Sequence, residues 1–375
     1  MEVLTPVQLK RIDEHKYSAS GTSLIQPMLE VFWNWVVELV PRWVAPNAIT
    51  VAGLVANMVP SVLLIFYCPT ATEVAPGWMY ILNGVAIFVF LTMDAIDGKQ
   101  ARRTGSGSPL GELFDHGCDA VSTAFLGCTI SISWQLGYHP WVMFFFCLNS
   151  PLSIYLGHWS SYVTGTLTFG LIDVTEALCL ATVVFILTGL FGQDFWNASI
   201  PILGYPLYAG VITVVVSGTF VSHLRCLRLI LSGGCGDNGA TVANTSVLSP
   251  GINVAVLFGF AITIALQSKD NVMQRHPVLY LLFFSLIVTK LINRLVVAHM
   301  TKSELRVLDT SLISVLVMFL NQCLGSYVKE HLLLWMCFVY SCVHLALYLT
   351  YTYNKIANHL NIYIFSLESR TIKQK

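Results

Sequence analysis

Asp94, Asp97, Asp115 and Asp119 are four carboxylates in an otherwise apolar stretch, with Gly98, Ala101, Arg102 and Gly111 between them, spaced as D-x2-D-G-x2-A-R-x8-G-x3-D-x3-D. On helices, Asp94 and Asp97 stand at i and i+3, and Asp115 and Asp119 at i and i+4, so each pair projects from one face. Two neighbouring helices would then aim four acids at one point. Like charges that close stay ionised together only with a cation among them, and all-oxygen ligation selects hard ions such as Mg2+, Mn2+ or Ca2+. The cluster therefore reads as a metal site. Arg102 and Lys99, one turn from the acids, suit a phosphate oxygen held jointly by metal and guanidinium, so the expected ligand is a diphosphate. Gly98, Ala101 and Gly111 let helix backbones approach and leave room for that ligand. Structural ion pairs, Asp94 with Arg102 and Asp119 with Arg103, are the alternative, but they leave the fourfold convergence and the glycines unexplained.

The surroundings of the cluster are those of a bilayer. The chain has 375 residues, 55% of them hydrophobic and 11% charged, with a mean hydropathy of +0.69; a soluble domain carries roughly one-quarter charged residues. An all-α, polytopic integral membrane protein follows. Zero net charge gives no sign of a nucleic-acid partner. The ten cysteines form no C-x-x-C pair and read as reduced packing residues. The segment MEVLTPVQLKRIDEHKY lacks the apolar core of a signal peptide. Gly234, Gly236 and Gly239 match G-x-G-x-x-G but lack the strand that the dinucleotide fingerprint needs, and they read as a loop.

Apolar runs of bilayer length occur near 48–67, 78–97, 110–136, 139–157, 174–192, 206–231, 250–267, 277–298, 308–327 and 332–354, about ten transmembrane helices. Before them, residues 24–40 mix aromatics with Glu30 and Glu38 and suit a helix lying in the interface. Ten spans put both termini on one side. Seventeen basic residues, Lys290 and Arg294 among them, fall on that side, against Lys269, Arg275 and Lys329 on the other, which makes the first side cytosolic. The acids then sit at the cytosolic ends of spans two and three. Of two glycosylation sequons, at Asn197 and Asn244, only Asn197 faces away from the cytosol.

The eight signature positions resemble, without departure, those of the CDP-alcohol phosphotransferase family. WVAPNAIT before span one and GTLTFGLIDVTE at 165–176 extend the resemblance over essentially the whole chain, and it looks most like the choline-using members of the eukaryotic choline/ethanolamine subfamily. The resemblance implies a six-helix catalytic core within 47–231, with helices in 250–354 supporting a homodimer. It implies two ions, Mg2+ or Mn2+, on Asp94, Asp97, Asp115 and Asp119, with Gly98, Ala101 and Arg102 lining the nucleotide. It implies CDP-choline and diacylglycerol as substrates, phosphatidylcholine and CMP as products, and residence in the endoplasmic reticulum or Golgi. Ethanolamine-specific and dual-specific enzymes are the near rivals.

Asn47, at the start of span one, is the further residue placed near the cytidine or its phosphates; a helix cap after Pro46 is its other reading. Attack by an alcohol needs a proton acceptor. His116, with the right basicity, is the candidate, pointing about 100° around the helix from Asp115. Glu176 would orient and charge-balance its imidazole, with Asp119 as the rival base. Trp43, Tyr155, Trp159 and Tyr162 are candidates for an aromatic cage around choline, or members of an interfacial belt. Outside this chemistry an ion transporter is the alternative, yet its acids are expected near the midplane of repeated halves.

Overall fold

The computed structural model describes residues 4–201, 204–306 and 309–368. In chain order the helices are α1 Pro6–Glu14, α2 Gln26–Leu39, α3 Pro46–Tyr67, α4 Gly77–Thr104, α5 Pro109–Ser133, α6 Pro140–Thr164, α7 Val174–Phe191, α8 Leu207–Leu231, α9 Ser249–Gln267, α10 Val272–Arg275, α11 Pro277–Met300, α12 Leu312–Cys323 and α13 Glu330–Leu360. A two-residue strand, β1 (Ala19–Ser20), pairs in parallel with β2 (Leu167–Thr168). The fold is thus all-α, in a polytopic membrane protein.

Among the described residues eight helices, α3, α4, α6, α7, α8, α9, α11 and α13, are long and apolar enough to cross a bilayer. Two of the ten expected spans differ. The 25-residue α5 is long enough but carries Glu112, Asp115 and Asp119 in its first half. The 12-residue α12 rises about 18 Å, short of the roughly 30 Å of a hydrocarbon core.

The brevity of α12 has a visible cause. Lys290 and Arg294, expected on the cytosolic surface, are buried inside α11 at 4% exposure each. Both hold Asp309, on the connection before α12: Lys290 Nζ lies 2.8 Å and Arg294 Nη1 3.0 Å from its carboxylate. Pairing with α11 draws this connection into the bundle, so the helix that follows starts late. An unpaired buried cation is far costlier than a paired one. The Asp309→Ala protein should lose about 3–5 kcal/mol of stability, seen as a lower melting midpoint in detergent; a midpoint within a degree of wild type would show that the ions find other partners.

Nearly every residue of α11 is buried, because it runs through the centre of the bundle against α5, α6, α9 and α13. α11 is therefore built into the wall of the core. On α2, Trp33 and Val37 are buried while Met28, Val31, Trp35 and Leu39 form an exposed apolar stripe. Lys99 donates to Glu30 and Asn34, and Arg103 to the carbonyls of Val37 and Val40, fastening α2 to the end of α4.

Candidate active site

α4 and α5 both pack against α3, and three helix ends come to one place. Pro46 opens α3, so Asn47 and Thr50 stand on its first turns. α4 carries Asp94, Asp97, Gly98, Ala101 and Arg102 on its last turns and ends at Gly105, whose φ of +65° is the left-handed conformation that a C-terminal stop favours. Three residues later Ser108 caps α5 by accepting from the Gly111 amide at 3.1 Å, with Pro109 following. This tight reversal sets the second pair of acids against the first.

One carboxylate oxygen each from Asp94, Asp115 and Asp119 lies within 4.8 Å of the other two. Asp97 accepts a hydrogen bond from Thr50, a residue that no motif or spacing singles out. Asp115 Oδ1 is buried without a hydrogen-bond partner. An all-oxygen set of acids with an orphaned buried oxygen fits a hard divalent cation. Beside it opens a cavity of about 860 Å3, lined by Asn47, Asp94, Asp97, Gly98, Ala101, Arg102, Gly111, Asp115 and His116, among others. Arg102 has no ion pair among the described residues and lines this space. Lys99 does not: it faces Glu30. The alternative pair of Asp119 with Arg103 is absent too, since Arg103 meets Glu38 at 3.1 Å.

Segments from both sides of the helical bundle in sequence, around His15–Tyr17 and Tyr363–Glu368, line the cavity. His15 Nε2 lies 2.8 Å from Glu112, and Tyr17 rests 6.2 Å, ring to ring, from His116. Behind them β1 is pinned to β2, with the Leu167 amide donating to the Ser18 carbonyl and the Phe169 amide to that of Ser20. From the other end, Tyr363, Ile364, Leu367 and Glu368 line the cavity. Asn47 Nδ2 donates to the Ile364 carbonyl at 3.0 Å, and Phe365 meets Phe114 edge-on at 5.7 Å. Asn47 thus lines the cavity while also holding the C-terminal segment. Neither terminal segment has apolar periodicity, the signal that would have placed it in a packed structure.

The His116 ring lies 4.7 Å from that of His158, and its buried Nδ1 has no partner. A small recess beside it is lined by Glu112, His158, Ser161 and His299. Glu176 is not brought to His116. Its carboxylate accepts from the amides of Ile25, at 2.8 Å, and Asp173, at 2.9 Å, which makes it the capping-box residue of α7 and the clamp that holds the segment before α2. The expected aromatic cage does not form either. Trp43 is exposed, while Tyr155, Trp159 and Tyr162 are buried, donating to the carbonyls of Pro250, Val247 and Ser303.

The CDP-alcohol phosphatidyltransferase family model matches residues 43–216. Along nearly its whole length the chain is similar to Cholinephosphotransferase 1 of Danio rerio, 46% identical over 98% of this chain and 96% of that protein. It is 44% identical to Cholinephosphotransferase 1 of Homo sapiens, over 97% of this chain and 90% of the relative. An uncharacterized CDP-alcohol phosphatidyltransferase class-I family protein of Dictyostelium discoideum is 32% identical over 96% of this chain. The chain belongs to the CDP-alcohol phosphatidyltransferase family. The segment matched by the CDP-alcohol phosphatidyltransferase model contains Asn47, Thr50, all four acids, His116 and Glu176, whereas His15, Tyr17 and the C-terminal lining residues lie outside it.

The glycines separate space for a ligand from space for a helix. A Cβ at Gly98 would meet only Arg102 Nη1, at 3.6 Å, whereas one at Gly117 would stand 2.1 Å from Tyr353 Oη and 2.8 Å from Asn293 Oδ1. Gly98→Ala should therefore leave the melting midpoint unchanged and raise the KM for the nucleotide substrate. Gly117→Ala should instead lower the midpoint, because α5, α11 and α13 must part. The reverse pattern would show that Gly98 is the packing glycine.

Proposed function

We propose that this protein transfers phosphocholine from CDP-choline to the hydroxyl of diacylglycerol, giving phosphatidylcholine and CMP, with its active site on the cytosolic face of the endoplasmic reticulum or Golgi membrane. The observation that carries the reading is the convergence of Asp94, Asp115 and Asp119 at a cavity also lined by Arg102, Gly98 and His116. Its support is the likeness to cholinephosphotransferases along nearly the whole chain. The four acids would hold two divalent ions, Mg2+ or Mn2+, which when bound neutralise the charge of the diphosphate and of the departing phosphate. We assign the catalytic core to 47–231 and a role in homodimer support to helices within 250–354.

The chain's own residues supply the rest. Gly98 and Ala101 leave room for the nucleotide, Arg102 holds a phosphate oxygen in both ground and transition states, and Asn47 and the C-terminal segment border the same space. The diacylglycerol oxygen attacks the phosphorus that bears choline. The new P–O bond forms, the bond to CMP breaks with its electron pair leaving on the CMP phosphate, and the hydroxyl proton passes to His116. The ring of His158, 4.7 Å away, packs against that imidazole.

The purified protein, given labelled CDP-choline, diacylglycerol and Mg2+ in detergent, should release CMP. EDTA should stop release and excess Mg2+ or Mn2+ should restore it. Release that persists in EDTA would overturn the assignment of the acids. Competition with CDP-ethanolamine in the same assay decides between a choline-specific and a dual-specific enzyme.

A further inference from the structure

We propose that Tyr17 is the aromatic face against which the quaternary ammonium of the transferred head group packs, and that it sets the preference for choline over ethanolamine; this rests on the function proposed above. The geometry points to it because the head group is bonded to the same phosphorus that the acceptor hydroxyl attacks. The head group must therefore lie beside the group that takes the proton, and Tyr17 has its ring 6.2 Å from that of His116. Apart from histidines, the aromatic residues lining the cavity among the described residues are Tyr17 and Tyr363. Tyr363 comes next to Ile364, on the Asn47 side, away from the head group.

Three features suit Tyr17 to a cation without N–H groups. Tyr17 lines the cavity and is 54% exposed, which leaves surface available for trimethylammonium. Burial of its hydroxyl pushes the phenol up to about 12, so the ring stays neutral. The segment is also pre-set: β1 is paired with β2, and the preceding His15 is tied to Glu112. That tie discriminates. A primary ammonium brings three N–H groups that need acceptors, and one oxygen of Glu112, an acid lining the same cavity, is already engaged by His15 at 2.8 Å.

The test compares wild type, Tyr17→Phe and Tyr17→Leu, as full-length protein in detergent, for KM with CDP-choline and with CDP-ethanolamine. Tyr17→Leu should raise the KM for CDP-choline about 3- to 30-fold and that for CDP-ethanolamine less than about 2-fold, while Tyr17→Phe keeps both within about 2-fold. Equal rises for both donors, no rise for either, or a Phe variant as impaired as the Leu variant would overturn the proposal. A series of ring-fluorinated phenylalanines at position 17 covers the case in which Tyr17→Leu does not fold. The KM for CDP-choline should climb with each fluorine as the ring face loses negative charge, and a flat series would also overturn it. Wild-type protein that releases CMP from neither donor is a different result, the failure of the proposed function itself.

Discussion

The Asp115→Asn protein should release CMP at least about 1,000-fold more slowly than wild type while keeping its fold. Charge neutralisation by bound divalent ions is worth several kcal/mol in such a displacement, and each 1.36 kcal/mol is tenfold in rate. Stability should move the other way. Removing one charge from oxygens lying within 4.8 Å of each other relieves repulsion in the metal-free protein, so its melting midpoint should equal or exceed that of wild type in EDTA. Added Mg2+ at 100 times its Kd should stabilise wild type by about 2.7 kcal/mol and the variant by much less. Unimpaired turnover, or a metal-induced rise identical to wild type, would show that Asp115 is no ligand.

Substitution of His116 by glutamine should lower kcat by about 100- to 10,000-fold, the usual contribution of a positioned base, with little change in KM for CDP-choline. The metal-induced rise in melting midpoint should survive, since His116 is not one of the converging oxygens. This separates it from its rival. If Asp119 were the base and not a ligand, Asp119→Asn would keep the metal response and His116→Gln would keep most of its turnover. The side chain of Glu176 is already held by the amides of Ile25 and Asp173, so Glu176→Gln should act through loosening of the N-terminal segment and cost less than either.

Spacing made the acid cluster and most of the spans readable, because a helix fixes which residues share a face. It did not fix what each face meets. Lys99 follows Asp97 by two residues, about 200° around the helix, and that rotation alone directs it to Glu30 on α2, away from the acids. The same limit applies to Tyr155 and Trp159: their apolar bodies suit a cage or a helix contact equally, and only the position of α9 decides for the contact. Lys290 and Arg294 read as surface charges because nothing in their own helix carries a partner; Asp309 arrives from another segment. His15 and Tyr17 stayed unnoticed for a further reason. Their segment is held by strand pairing and caps, which leave no period in sequence.

Because Asn47 grips a carbonyl 317 positions later, and Asp13 meets His359 across 346 positions, the cavity acquires its last wall only late in synthesis. At about 5–20 residues per second, some 15 to 60 seconds separate the emergence of Asn47 from that of Ile364. During that interval the half-made polypeptide, already threaded through the translocon with its aspartates in place, has no C-terminal wall to its chamber.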